Sequence, residues 1–414
     1  MRKMKDSGID WIGEIPEEWE IEAISRVFSQ RNVKVSDFEY APLSVTKQGV
    51  VPQLDSAAKS DDHSNRKLVK RGDFVINSRS DRKMSAGISQ YDGSVSLINL
   101  VMKPMDDKLQ TDFIGYLMKN YGFAEEFYRW GSGIVADLWS TNWERARKIQ
   151  LPLPPLPEQE KIAQFLDRKT ALIDDIIKDT KTSIEELKAY KQSLITEIVT
   201  KGLDPTVKLV PTGIEWVGNV PEGWEVVKIK NISQLRNEKD IYETGQKFLA
   251  LEKMLSYRPG YIDLLTEVEG GYQQVVKIDD VVFSKLRPYL AKVAISDFEG
   301  FGTGELLVFH NIKISRKLFM YKLISEQILQ PVRSSSYGVK MPRVNPDFIM
   351  NLLISFPKSL YEQNIIADHL DQKTAQIDAL IAEKENLIRE YETYKKSMIY
   401  EYVTGKKQVG DNEG

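Results

Sequence analysis

The chain has 414 residues, 42% of them apolar, which is too long for one ordinary domain and suits two or three. It contains no Cys, which excludes a disulfide framework or a thiolate metal site and suits a reducing cytosol. A net charge of −3 and a pI near 5.9 exclude a free-standing, strongly basic nucleic-acid binder, so any nucleic-acid contact must come from local patches or from partners.

The N-terminus, MRKMKDSGID, has a basic start but no apolar run after it, so no signal peptide is expected there. Nowhere do eighteen apolar residues run together, so no membrane span is expected and the location reads as cytoplasmic. The stretch Ser7 to Ile21, SGIDWIGEIPEEWEI, is followed by two runs with strand character, APLSVTKQGVV and GDFVINSR. Between His63 and Lys83 lie Arg66, Lys67, Lys70, Arg71, Arg79, Arg82 and Lys83 against two Asp. Basic side chains set among Ser and Asn suit phosphate positioning and base-edge contact. Asp112 to Trp130 has helical spacing, and KIQLPLPPLPEQ then leads out of the globular part. Its prolines cannot sit inside a helix, so they place a helix start near Pro157.

From Pro157 to Lys201 the apolar residues Ile162, Leu166, Ile173, Ile177, Ile184, Leu187, Leu194 and Ile198 step forward by threes and fours. That is the heptad seam of one long helix, roughly 65 Å at 1.5 Å per residue. A stripe so long and narrow needs a partner of similar length, and the same chain supplies it. From Tyr361 the pattern returns 204 positions later, with Ile366, Leu370, Ile377, Ile381, Ile388, Tyr391, Met398 and Tyr402 on the seam. The opening stretch returns as well: Gly8, Trp11, Gly13, Pro16 and Trp19 recur as Gly213, Trp216, Gly218, Pro221 and Trp224, a shift of 205. The chain is therefore two copies of one unit, a pseudo-dimer in a single polypeptide. The second copy carries its own strand runs, KFLALEKML and DDVVFSKLRPYLAKVAI, and an echo of the helix at 318–332. Its basic residues are Lys285, Arg287 and Lys292, then Arg333, Lys340 and Arg343 with Tyr337 among them.

The expected organisation is a globular domain over 1–156, a helix over 157–201, a second globular domain over 202–360, a second helix over 361–405 and a disordered polar tail over 406–414. The fold class is α+β: two pseudo-symmetric α/β domains separated by a long antiparallel two-helix coiled coil.

GIDWIGEIPEEWE near each start, GDFVINSR and DDVVFSKLRP in mid-domain, and LPPLPEQEKIAQFLDRKTALIDDII entering the helix resemble the specificity subunits of type I restriction-modification enzymes. The resemblance covers almost the whole chain. It departs where SLYEQNIIADHL replaces PLPEQEKIAQFL in the second copy. It implies two target-recognition domains, each reading one block of a split site in double-stranded DNA. The helices would serve as spacer and as dock for the modification (methyltransferase) subunits, two of them, with restriction/translocase subunits joining through the complex. No catalytic residue, cofactor or metal is then expected on this chain; S-adenosylmethionine, ATP and Mg would sit on the partners. Two rival classes stay open: an enzyme, meaning a fused amino-methyltransferase or nuclease, and a coiled-coil adaptor that binds protein.

The enzyme reading has weak support in the residues. Phe301 to Gly304 and Asn345 to Phe348 mimic a cofactor loop and an amine-gripping turn, but Asp347 stands where the second proline belongs. No strand–loop–helix context surrounds the glycines. The three His, His63, His310 and His369, are far apart in sequence and not at ligand spacing, and the acidic clusters read as solvated faces. The four repeated Trp read as packing residues.

Overall fold

The computed structural model describes residues 2–54, 63–105, 108–133, 139–214, 216–336, 338 and 341–410. The chain divides into two compact units, residues 1–180 with 386–414, and residues 181–385. Each unit therefore holds one globular part and a portion of both long helices, Leu156–Lys201 and Leu360–Val403.

In the first unit the strands Ala86–Ile88, Phe74–Asn77, Asn99–Pro104 and Phe28–Gln30 form an antiparallel sheet in that order. A second sheet runs Gly93–Ser96, Arg66–Val69, Lys34–Val35. The expected strand run after Ala41 is a hairpin, Leu43–Thr46 on Gly49–Pro52, with Gly49 at φ +128°. The Pro-rich exit strand Gln150–Leu153 pairs with Glu20–Ala23. Where the spacing predicts one helix over 112–130 there are two, Thr111–Leu117 and Tyr121–Arg129. Asn120 makes the break: its Oδ1 accepts the Phe123 N–H at 3.0 Å, and its Nδ2 donates to the Leu117 carbonyl. Trp19, Phe28, Phe74, Phe113, Phe123 and Phe127 are fully buried against Ile162, Leu166 and Met398 of the long helices. Each such Phe contributes roughly 1.5–3 kcal/mol by leaving water.

The second unit repeats this plan. Its main sheet runs Val293–Ile295, Val281–Ser284, Leu306–His310, Gln234–Leu235, the same order element for element. Its second sheet adds a parallel edge, Phe248–Leu249 on Gly300–Gly302. The paired helices are Arg316–Leu323 and Glu326–Ser335, broken at Ser325, whose Oγ donates to the Lys322 carbonyl at 2.7 Å.

Within each unit the two helix portions pair. In the first, the rings of Phe165 and Tyr402 lie 4.5 Å apart and Asp174 meets Lys395, so one index falls as the other rises and the helices are antiparallel. Twelve of the sixteen seam residues are buried, and Leu187, Leu194, Ile388 and Tyr391 are half-buried.

Two ties seat each globular part on its helix, and both repeat. Gln159, 1% exposed, accepts the Gln110 N–H and donates to the carbonyls of Lys108 and Pro154, each at 2.9 Å. Gln363 does the same between the Ser315 N–H at 2.8 Å and the Pro357 carbonyl at 2.7 Å. The Tyr116 hydroxyl donates to Asp167 and that of Tyr321 to Asp371, both at 2.7 Å.

The tail corrects an expectation. Val409 is 3% exposed in the core of the first unit, and Lys406 donates to the Glu14 carbonyl, so residues 406–410 are packed; the rest of the expected tail, 411–414, lies outside the described residues. Composition pointed to disorder, but the packing is set by one apolar residue in a polar run.

Candidate nucleic-acid interface

The predicted basic residues of the first unit fall before and after the strand Phe74–Asn77, which is roughly 13 Å long. Arg66, on the strand Arg66–Val69, is buried with its Nε donating to Ser94 Oγ at 2.8 Å. Before the strand, Lys67 is inside the fold: its Nζ donates to the carbonyls of Leu97 and Asn99 at 2.9 and 2.8 Å, and burial pushes its pKa down. Lys70 pairs with Asp92 at 2.8 Å, a hydrogen bond that raises its pKa. Arg71 is exposed, with its N–H on Asp92. The turn is held from below by Asp73, 1% exposed, which takes Arg31 in a two-pronged pair at 2.6 and 3.0 Å. Asp280 and Arg236 repeat that pair, both bonds at 2.9 Å. The acidic residue of GDFVINSR and DDVVFSKLRP is thus a fastening, not a reactive group.

After the strand the chain turns through Arg79, Ser80–Arg82 and Lys83, all three basic residues exposed. This turn is zipped to a segment sixty residues on. Ser80 N–H donates to the Trp139 carbonyl and Thr141 N–H to that of Ser78, both at 3.0 Å, with Arg79 bridged to Ser140 between them. The second unit builds the same zipper. Arg287 N–H donates to the Pro342 carbonyl at 2.7 Å and Val344 N–H to that of Lys285 at 3.0 Å, with Leu286 bridged to Arg343.

The zippers decide which predicted residues come together. In the first unit Arg79, Arg82 and Lys83 share the turn. Lys83 pairs with Glu125 at 2.8 Å and lines an open cleft of about 540 Å³ with Ser80, Tyr128, Arg129 and Trp139. Arg129 continues into a second cleft with Arg145 and Lys148. Sequence reasoning did not name these three; for Arg145 and Lys148 the run WERARK was the signal, and for Arg129 there was none. In the second unit Lys285, Arg287 and Arg343 are brought together, with Arg343 held on Glu305 at 2.8 Å. Lys292 is not among them: its Nζ donates to the Leu251 carbonyl at 2.5 Å, and burial lowers its pKa. Arg333 is paired with Glu326. Tyr337 and Lys340 lie outside the described residues.

The repeated Trp pair at the helix entrances packs and anchors. Trp19 is fully buried and its indole donates to Glu158 at 3.1 Å, while that of Trp224 points to Glu362 at 3.4 Å.

The same two-copy plan is found in known proteins. The family described as "Type I restriction modification DNA specificity domain" matches residues 16–186 and again 221–390, most of the chain. The chain belongs to this family. Among similar proteins, the MjaVIII type I restriction enzyme specificity subunit of Methanocaldococcus jannaschii is 27% identical over 279 residues, 63% of this chain and 63% of that one. The EcoDI specificity subunit of Escherichia coli is 21% identical over 281 residues, 61% of each. The chain thus spans less than two thirds of the length of these relatives in the matched regions. The HsdS subunit of Thermoanaerobacter tengcongensis shares the fold, with a TM-score of 0.54 at 15% identity over 95% of this chain and 98% of that one. So does a chain from work on complex assembly and conformational transition of the type I R-M system, at TM-score 0.70 and 14% identity over 94% and 98%. In this chain the zippered turns, each with an exposed arginine, recur in both units. No helix among the described residues is long and apolar enough to cross a membrane.

Proposed function

We propose that this chain is the non-catalytic, DNA-reading subunit of a type I restriction-modification complex, with one unit reading each block of a bipartite site. The observation that carries this is the repeated zipper, which fixes a basic turn at the same place in both units of a chain from this specificity family. Protein pseudo-symmetry of this kind maps onto paired half-sites. Modification subunits, two per chain, dock on the long helices, and restriction/translocase subunits join through the complex; S-adenosylmethionine, ATP and Mg²⁺ belong to those partners. One glycine of the would-be cofactor loop supports a packing role. Of the two in Phe301 to Gly304, Gly302 is closely packed, a β-carbon there lying 2.5 Å from Leu306, while Gly304 has open space around it. Asn345 is a helix cap, accepting the Asp347 N–H at 2.8 Å. Mapping of methylated sites in the host with and without this gene tests the proposal. A split motif should vanish on deletion; an unchanged methylation pattern would overturn it.

A further inference from the structure

The second unit contains six arginines, and five are neutralised. Arg236 meets Asp280, Arg258 meets Asp378, Arg316 meets Asp279, Arg333 meets Glu326 and Arg343 meets Glu305. Arg287 is exposed, and no carboxylate among the described residues pairs with it. Its backbone is unusual as well, at φ 47° and ψ 55°. A β-carbon disfavours that left-handed region, and glycine would occupy it without strain. The strained residue is held in place by its N–H, which is bonded to the Pro342 carbonyl at 2.7 Å. The turn therefore presents an unpaired guanidinium from a stiff backbone at the zipper.

The first unit has a counterpart at the same zipper. Arg79 is exposed, is itself the bridged residue opposite Ser140, and its N–H is fixed by Asn77 Oδ1 at 3.0 Å. Again no carboxylate among the described residues pairs with its side chain. Its neighbours differ: Lys83 is held by Glu125, and Arg82 lies 3.8 Å from Asp81.

We propose that Arg287 and Arg79 are base-reading arginines, each recognising a guanine in the block read by its own unit. The proposal rests on the DNA-reading function above and names residues within it. A guanidinium offers two parallel donors that match guanine O6 and N7 in the major groove, a geometry lysine cannot reproduce. Reading a base edge requires that the fork be unengaged and its base fixed, whereas a phosphate contact tolerates a mobile cation. Among the arginines of the second unit, only Arg287 meets both conditions within the described residues.

The test is methylated-site mapping in host strains carrying the wild-type chain, Arg287→Gly, Arg287→Lys, Arg79→Ala or Arg79→Lys, with duplex binding by the purified complexes. Arg287→Gly suits its backbone, so its melting temperature should not fall. Both Arg287 variants should lose preference for guanine at one position of one block, by roughly 5- to 150-fold. The other block should stay unchanged, and the Arg79 variants should mirror this in it. Arg287→Lys keeps the charge, so its salt dependence should match the wild type while its discrimination does not. An unchanged motif would overturn the proposal. So would uniform weakening on all sequences with a flatter salt slope, which marks a phosphate contact. If the wild-type chain itself directs no split motif, the DNA-reading function fails, and this proposal with it.

Discussion

Lys191 and Asp378 form an ion pair at 2.6 Å between the two long helices, and 204 residues on, Lys395 and Asp174 form the same pair at 2.6 Å. The two are not equally shielded. The side chains of Lys191 and Asp378 are 8% and 16% exposed, against 27% and 60% for Lys395 and Asp174. Removing one partner of a shielded pair strands the other charge, while an exposed pair is worth little. Asp378→Asn should therefore destabilise the protein by about 2–3 kcal/mol, and Asp174→Asn by less than about 1 kcal/mol. Urea unfolding of both variants decides it; equal losses would contradict the difference in shielding.

A second prediction concerns Lys322, fully buried, whose Nζ donates to the Val199 carbonyl at the end of the first long helix and to Ser355 Oγ at 3.3 Å. Burial pushes its pKa down to about 7. The unfolded chain keeps this proton up to about 10.4. Between those values the unfolded state binds more protons, so stability should rise with pH, by an amount on the order of 4 kcal/mol across the window. Lys322→Met should abolish that slope and be the more stable protein at pH 6. The first unit has Leu117 at the matching position, also fully buried. Thermal or urea unfolding between pH 6 and pH 10 is the measurement, and an unaltered slope in the variant would exclude the assignment.

The glutamine ties give a third. Gln159→Ala leaves the Gln110 N–H and two carbonyls without their partner in a buried place. The expected loss is about 2–4 kcal/mol, at roughly 1–3 for each stranded group and with partial relaxation. Gln159→Glu should be worse, because a carboxylate would face the carbonyls of Lys108 and Pro154. Denaturation midpoints would report both; a Glu variant more stable than the Ala variant would show that the tie is made otherwise.

The fourth concerns the cofactor. With Gly302 explained by close packing and Asn345 by helix capping, the purified chain should not bind S-adenosylmethionine. Titration calorimetry gives a direct answer, and micromolar binding would refute it.

Much of this protein was decided within short stretches of sequence. The seam from Ile162 to Ile198 and its return from Ile366 to Tyr402 mark the long helices, because heptad spacing is a local property of one cylinder. The prolines before Leu156 locate a helix start for the same reason. Repetition of the pattern also carried the two-unit plan, since similar sequences build the same main sheet, although the second sheets differ. What each basic side chain does was decided only by tertiary structure. Lys67 and Arg79 read alike in a run of charges, yet one is tied to carbonyls thirty residues on and the other sits at a zipper formed with Ser140. Val409 likewise reads as tail until the core of the first unit closes over it. In each case the deciding partner is distant in sequence, and neither charge nor periodicity near the residue carries any trace of it.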